Sequence, residues 1–388
     1  MFSSLFKLRG DLTSQQKILL GILGIALILA VWTALAYGKA TKQPVFERSS
    51  KVLPPMNMPA QQRDSIIDAQ ERADSIAAAN ATEFEWIYPI LPPPQDVFFS
   101  YPDLVQNDNL VKNSFKSLWL NIKGYIWAIL IALPVGFLIG LLPMFRGMFN
   151  RPVEALRYLP LTALTGVFMA WFGTSDRMKV AFLAFGILVY LLPVIVQRIN
   201  EVKDVYLKTV FTIGASPWQT IRTVYIPSVM SRVWDDIRVL TAISWTYIIV
   251  AELVNSSEGG VGAMIFIKSR FSQMEKVFAI LLVIILIGLL QDRYFVYLDK
   301  KLFPYKYNSD TTKKETLVGN LIRFVFTILA GLFLLSFLIK DIIMEYIGDG
   351  FYVLMLLSII YLAIEGWLWY KTRQNQTPIQ PATVEAQP

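Results

Sequence analysis

Runs of about twenty apolar residues recur along the chain near 18–37, 119–142, 152–173, 179–199, 236–255, 277–297, 317–339 and 351–370. Wound as an α-helix, a run of that length matches the hydrocarbon thickness of a bilayer, so the pattern predicts an all-α integral membrane protein with about eight transmembrane helices. The same pattern divides the chain. A membrane anchor occupies 1–38, a polar extracytoplasmic insertion 39–117, and a core of spans 118–298 with a loop at 200–228. A linker follows at 299–316, then two additional spans at 317–370 and a tail at 371–388 whose Gln, Pro and Thr content predicts disorder. The insertion is punctuated by Pro54-Pro55 and Pro92-Pro93-Pro94. It repeats Asp-Ser-Ile at 64–66 and 74–76, as a surface helix or spacer would.

One polar-faced loop carries more helix signals than a simple connection needs. In Tyr206 to Pro227, Gly214 permits a sharp turn, Ser216 can cap a helix, Pro217 suits its first turn, and Gln219 completes a capping box. Trp218, Ile221 and Tyr225 then recur at helical spacing, which predicts a short amphipathic helix that Pro227 ends.

Composition narrows the chemistry. The 388 residues are 55% hydrophobic, and mean hydropathy is +0.48, values reached when lipid is the solvent for long stretches. Cysteine and histidine are both absent, which removes disulfides, Cys/His zinc sites, Cys nucleophiles and His general bases. Enzymatic readings thereby lose most of their usual material. The net charge of +7 sits beside the hydrophobic spans, as the positive-inside tendency requires, and does not point to nucleic acid. Lys7, Arg9 and Lys17 precede the first span, whose apolar core exceeds a signal-peptide h-region, so it reads as an uncleaved anchor with a cytoplasmic N-terminus. Alternation then places Arg146 and Arg151, the Tyr206 to Pro227 loop and the Lys300 to Lys314 linker in the cytoplasm. Arg177 and Lys179, in a turn on the outer side, run against the charge rule.

Several charged and aromatic residues lie within or near spans. Glu252 is either a gate or pathway carboxylate, or a span-end residue bonded to the backbone of the Asn255 to Gly262 loop. Arg157 and Arg198 either snorkel to the interface or offer paired donors to an oxyanion. Trp245 and Tyr247 either line a pathway or pack between helices. Arg323 and Glu365 lie at similar depth in the last two spans and are expected to pair as a structural contact. Gly136 and Gly140 form a G-x-x-x-G pattern that allows close helix packing, with a dimer interface as one location.

The spacing Gly214, then Val224, Ile226 and Pro227, resembles the EAA loop of ABC importer permeases. The surrounding chain is similar to their nitrate, sulfonate, taurine and bicarbonate branch in Leu91-Pro92-Pro93-Pro94, Arg157-Tyr158-Leu159-Pro160, Trp171-Phe172-Gly173, Gly214 to Gln219, Val250-Ala251-Glu252 and Gly259-Gly260-Val261-Gly262. These features cover residues 90 to 295 in the family's order. The resemblance implies a type I importer fold in a bacterial inner membrane and a homodimer in membrane lipid. An extracytoplasmic solute-binding protein would deliver a small hydrophilic solute of oxyanion or sulfonate type. The chain would bind no cofactor, ATP and Mg being held by a partner ABC ATPase, and indeed no G-x-x-x-x-G-K-[ST] loop is present. It further implies that Gly214, Ala215, Ser216, Pro217, Trp218 and Ile221 form the ATPase-coupling element. The family's acidic triplet position falls on Lys208-Thr209-Val210, and two spans are added after Lys314. An ion-coupled secondary transporter or channel, with Glu252 as its carboxylate, and a membrane scaffold remain the alternatives.

Overall fold

The computed structural model describes residues 12–44, 84–88, 90–254, 256–307 and 340–374. Contacts divide the chain into two compact units, Met1–Asp103 with Lys268–Ala279, and Leu104–Ile267 with Ile280–Pro388.

In the first unit, helix α1 (Ser14–Gly38) starts at a capping box between Thr13 and Gln16, and apolar side chains are exposed along its length, as a helix solvated by lipid requires. Trp32 Nε1 donates to Pro92 O at 2.9 Å, and Gln95 Nε2 donates to the Tyr37 hydroxyl at 3.1 Å. Strand β1 (Thr41–Pro44) pairs antiparallel with β2 (Phe84–Ile87), Thr41 opposite Ile87 and Pro44 opposite Phe84. The polar insertion therefore begins and closes on a two-stranded ribbon that its composition did not predict. Two short helices come next, α2 (Pro94–Phe99) and α3 (Tyr101–Gln106).

The second unit is built on α4 (Leu110–Leu141) and α7 (Asp176–Asn200). A Cβ placed on Gly124 would lie 2.7 Å from Leu183 Cβ, on Gly136 2.7 Å from Ile195 Cγ2, and on Gly140 2.5 Å from Ile199 Cδ1. Each pair is 59 positions apart, so the two helices run parallel in constant register. Gly136 and Gly140 thus serve contact within the chain, where absent side chains let two backbones approach. Tyr125, Ala128, Ala132, Ile187, Leu191 and Ile195 extend this seam into a core shared with α10 (Ile226–Val254).

Parallel α4 and α7 require residues 142–175 to travel back along the bundle. They do so as a broken crossing, α5 (Pro143–Ala155) and α6 (Thr165–Phe172), joined by 3-10 turns at Leu156–Tyr158 and Leu161–Leu164 and bent by 92°. The straight span expected over 152–173 is corrected accordingly. The cause is Pro160, which forces Leu159 into an extended conformation (ψ 125°) and removes an N–H from the helical ladder.

α10 runs antiparallel to both, with Tyr247 beside Gly186 and Asp236 beside Arg198. Beyond it lie α11 (Val261–Arg270) and α12 (Met274–Leu302), then α13 (Lys340–Ile347) and α14 (Gly350–Gln374). α14 lies parallel to α4. Its start packs on Phe115, and Tyr352 stacks on Trp119 at 5.6 Å, while Ile360 and Ile364 reach Tyr297 and Leu298 of α12. Six helices are long and apolar enough to cross a membrane among the described residues, seven when the bent pair is counted as one span. The expected span at 317–339, with Arg323, lies outside the described residues.

Candidate coupling and pathway sites

Helix α8 (Asp204–Thr212) ends at Gly214, whose φ of +78° lies in the left-handed region that favours glycine. Ala215 N then donates to Val210 O at 3.0 Å, and the chain turns directly into α9 (Pro217–Thr220). The cap is the one its residues predict. Gln219 N donates to Ser216 Oγ at 3.3 Å, and Ser216 N donates to Gln219 Oε1 at 2.8 Å. The continuation of this helix departs from expectation, because Pro227 does not end it. Residues Ile221–Tyr225 form a π-turn, Ile226 N–H bonds to Ile221 O, and the helix runs on as α10, giving 38 helical residues from Pro217 to Val254. The widened turn just before Pro227 accommodates the missing N–H and the ring that an unbroken α-helix would reject.

The π-turn also shifts the buried face. Thr220 and Val224 point inward at 3% and 8% exposure, Ile221 and Tyr225 are half-buried, and Trp218 is 67% exposed. No residue of α8 is buried. Val205, Tyr206, Phe211, Ile213 and Trp218 together leave a large apolar surface open on this turn.

Ion pairs grip the helix behind that turn. Arg198 makes a bidentate contact to Asp236, Nε and Nη2 each at 2.8 Å, and a third bond to Glu201 at 2.8 Å, so its donors are committed within the protein. The Arg198 guanidinium holds the Glu201 carboxyl below the usual carboxylate range. Arg238 forms a second bidentate pair with Asp292 of α12. After α12, Tyr305 donates to Pro227 O at 2.8 Å and Lys306 to Asp235 at 2.6 Å, and Tyr307 bonds Asp299. Asp236→Ala is expected to cost about 2 kcal/mol, read as a lower unfolding temperature in detergent. Asp236→Glu should recover part of it; equal melting of all three proteins would show that the pair is idle.

At the opposite end of this unit Glu252 is fully enclosed, 0% exposed. Its Oε1 accepts from Ser117 Oγ at 2.6 Å and its Oε2 from Gly262 N at 2.8 Å, while Ser117 Oγ accepts from Val261 N at 2.9 Å. Asn113 Oδ1 accepts from Gly260 N at 2.9 Å. Lys179, also fully buried, pairs with Asp176 at 3.3 Å, and Lys116 bonds the carbonyl of Glu258. Glu252 is thus enclosed and bonded to the backbone of the Gly-rich loop.

The other candidates are dispersed. Trp245 is buried, and its Nε1 donates to Gln291 Oε1 at 2.8 Å. Tyr247 packs edge-on against Phe182. Glu365 accepts from the Tyr297 hydroxyl at 3.4 Å, whereas its expected partner Arg323 lies outside the described residues. Arg157 is exposed on the bend of the broken crossing. No cluster of His, Cys, Asp and Glu suited to a metal occurs among the described residues.

Residues 117–304 match the family described as binding-protein-dependent transport system inner membrane component. An ABC transporter permease protein of Methanocaldococcus jannaschii is 28% identical over 209 residues, 53% of this chain and 77% of the relative. An aliphatic sulfonates transport permease protein of Bacillus subtilis is 28% identical over 220 residues, 56% and 78%. A taurine transport system permease protein of Escherichia coli is 25% identical over 220 residues, 55% and 80%. With its multiple apolar helices, its capped turn and these matches, the chain is a multi-pass inner membrane protein that belongs, through residues 117–304, to the inner membrane components of binding-protein-dependent ABC transport systems.

Proposed function

We propose that this chain forms, as a homodimer, the pathway of an importer for a small anionic solute of oxyanion or sulfonate type. A separate ATPase subunit hydrolyses ATP with Mg and docks on the cytoplasmic turn at Gly214, Ala215, Ser216, Pro217, Trp218 and Ile221. An extracytoplasmic binding protein delivers the solute. The observation that carries this reading is the pre-capped, outwardly apolar turn continuous with a membrane-crossing helix, because a groove in a partner can hold such a turn and move the crossing with it. The relatives named for sulfonate and taurine transport support the solute class.

The test is purification of tagged protein from its host in mild detergent, with mass spectrometry of accompanying chains. Wild type is expected to carry an ATPase subunit, and Gly214→Trp combined with Trp218→Asp to lose it while still inserting. An ATPase retained by the double variant would place the dock elsewhere. Absence of any ATPase from both forms would turn attention to the transporter and scaffold readings.

A further inference from the structure

The bend in the broken crossing holds a charge, Arg157, that no described residue neutralises. Four residues before Arg157, Val153 packs with Leu192 and Val196 of α7; four residues after it, Leu161 lies 3.6 Å from the Cβ position of Gly186. Arg157 therefore sits level with the middle of α7, about 15 Å from the nearer helix end at 1.5 Å per residue. It is too far in to be a residue that snorkels from a helix end.

Arg157 is exposed, as is Tyr158 beside it at 88%. Among the described residues its guanidinium makes no hydrogen bond or ion pair, whereas Arg198 and Arg238 each hold a carboxylate through two donors. A bare guanidinium at that depth is costly against hydrocarbon and is found where water or a counter-charge meets it. The backbone gives a second, independent indication. Leu159 and Pro160 are extended (ψ 125° and 91°); the Leu159 N–H bonds Leu156 O and the Pro160 carbonyl accepts from Ala163 N, but between these two turns the helical ladder is interrupted, and such irregular backbone at membrane depth lines water or is buried in protein.

We propose that Arg157 stands in a water-lined pathway and holds the anionic group of the transported solute, a sulfonate- or carboxylate-class oxyanion, midway across the membrane. This rests on the transport reading above. The planar guanidinium offers parallel donors to two oxygens of such a group. The site gives a foothold to a hydrophilic anion where no lipid-facing surface could.

The chain has no cysteine, so a single Tyr158→Cys reports on this position without further engineering. Full-length protein in lipid nanodiscs is treated with 2-sulfonatoethyl methanethiosulfonate, itself a small alkanesulfonate, and separately with the trimethylammonium reagent of similar size. Free 2-mercaptoethanol calibrates both. The thiol is expected to react within minutes and to favour the anionic reagent about tenfold over the free-thiol ratio, as one charge a few ångström away dictates. Adding Arg157→Gln should return the ratio to that of free thiol, and Arg157→Lys should retain most of the preference. An unreactive thiol means a position sealed by lipid or protein, and a reactive thiol indifferent to Arg157→Gln means a guanidinium that does not govern the site; either result overturns the proposal. The readout needs neither the ATPase nor the identity of the solute, so its failure and that of the ATPase capture are told apart.

Discussion

Gly136→Ala lowers the stability of the purified protein by about 1–3 kcal/mol, while Gly288→Ala leaves it unchanged or raises it by a few tenths. Both glycines lie inside apolar membrane helices, and propensity alone favours alanine at each. Their surroundings differ. A methyl on Gly136 meets Ile195 Cγ2 at 2.7 Å and Cβ at 2.9 Å, and no rotamer change can withdraw that Cβ from beside the α7 backbone, whereas a methyl on Gly288 meets nothing within 4 Å. The substitution must push α4 off α7 along a seam that also holds Gly124 and Gly140. Thermal unfolding in detergent, followed by loss of the monodisperse peak in size exclusion, measures both variants. Equal melting temperatures would mean that the close approach contributes nothing to the bundle.

Glu252→Ala is expected to be more damaging than Glu252→Gln, and the gap between them is the informative quantity. Alanine leaves the Gly262 N–H and the Ser117 hydroxyl buried without acceptors, at about 1–3 kcal/mol each, and adds a cavity. Glutamine keeps an oxygen for the Gly262 N–H and turns its NH2 toward Ser117 Oγ, giving up one donor, about 1 kcal/mol. Gly260 adds a steric reason. Its φ is +106°, and a Cβ there would collide with the Glu252 carboxyl, so Gly260→Ala should resemble Glu252→Ala. A carboxylate acting chiefly as a proton carrier would reverse the pattern: both substitutions would abolish transport, and neither would shift melting.

The features legible in the sequence are those encoded within a few residues. Ser216 and Gln219 announce their cap because both partners lie within one turn, and Gly214 announces the turn before it. Pro227 misleads for the same reason: a local rule reads it as a stop, while the π-turn that absorbs it leaves no compositional trace. The break at Leu159-Pro160 carried its signal in the pre-proline position, yet the apolar run around it reads as one span, since hydropathy records the solvent and not the shape. Glu252 was visible, but its partner Ser117 is 135 positions away. The constant offset between α4 and α7 is likewise a property of packing alone. The relation between Arg198 and Asp236 belongs to this second kind, and it converts a candidate ligand for an anion into a fastening between helices.

That fastening divides the long helix almost evenly. From Asp236 to Pro217 is about 28 Å, and from Asp236 to Val254 about 27 Å, at 1.5 Å per residue. Arg198 holds the rod there from α7, and Arg238 two positions on is held from α12, so its middle is pinned on two sides, and its far end is pinned again where Glu252 accepts from Ser117 of α4 and from the Gly262 N–H. A rod held at its middle and at its far end does not pivot as a beam; movement at its other end is absorbed where the helix is widened. A pull on Trp218 would therefore be taken up first at the π-turn Ile221–Tyr225, before it reaches the ion pairs or the enclosed Glu252.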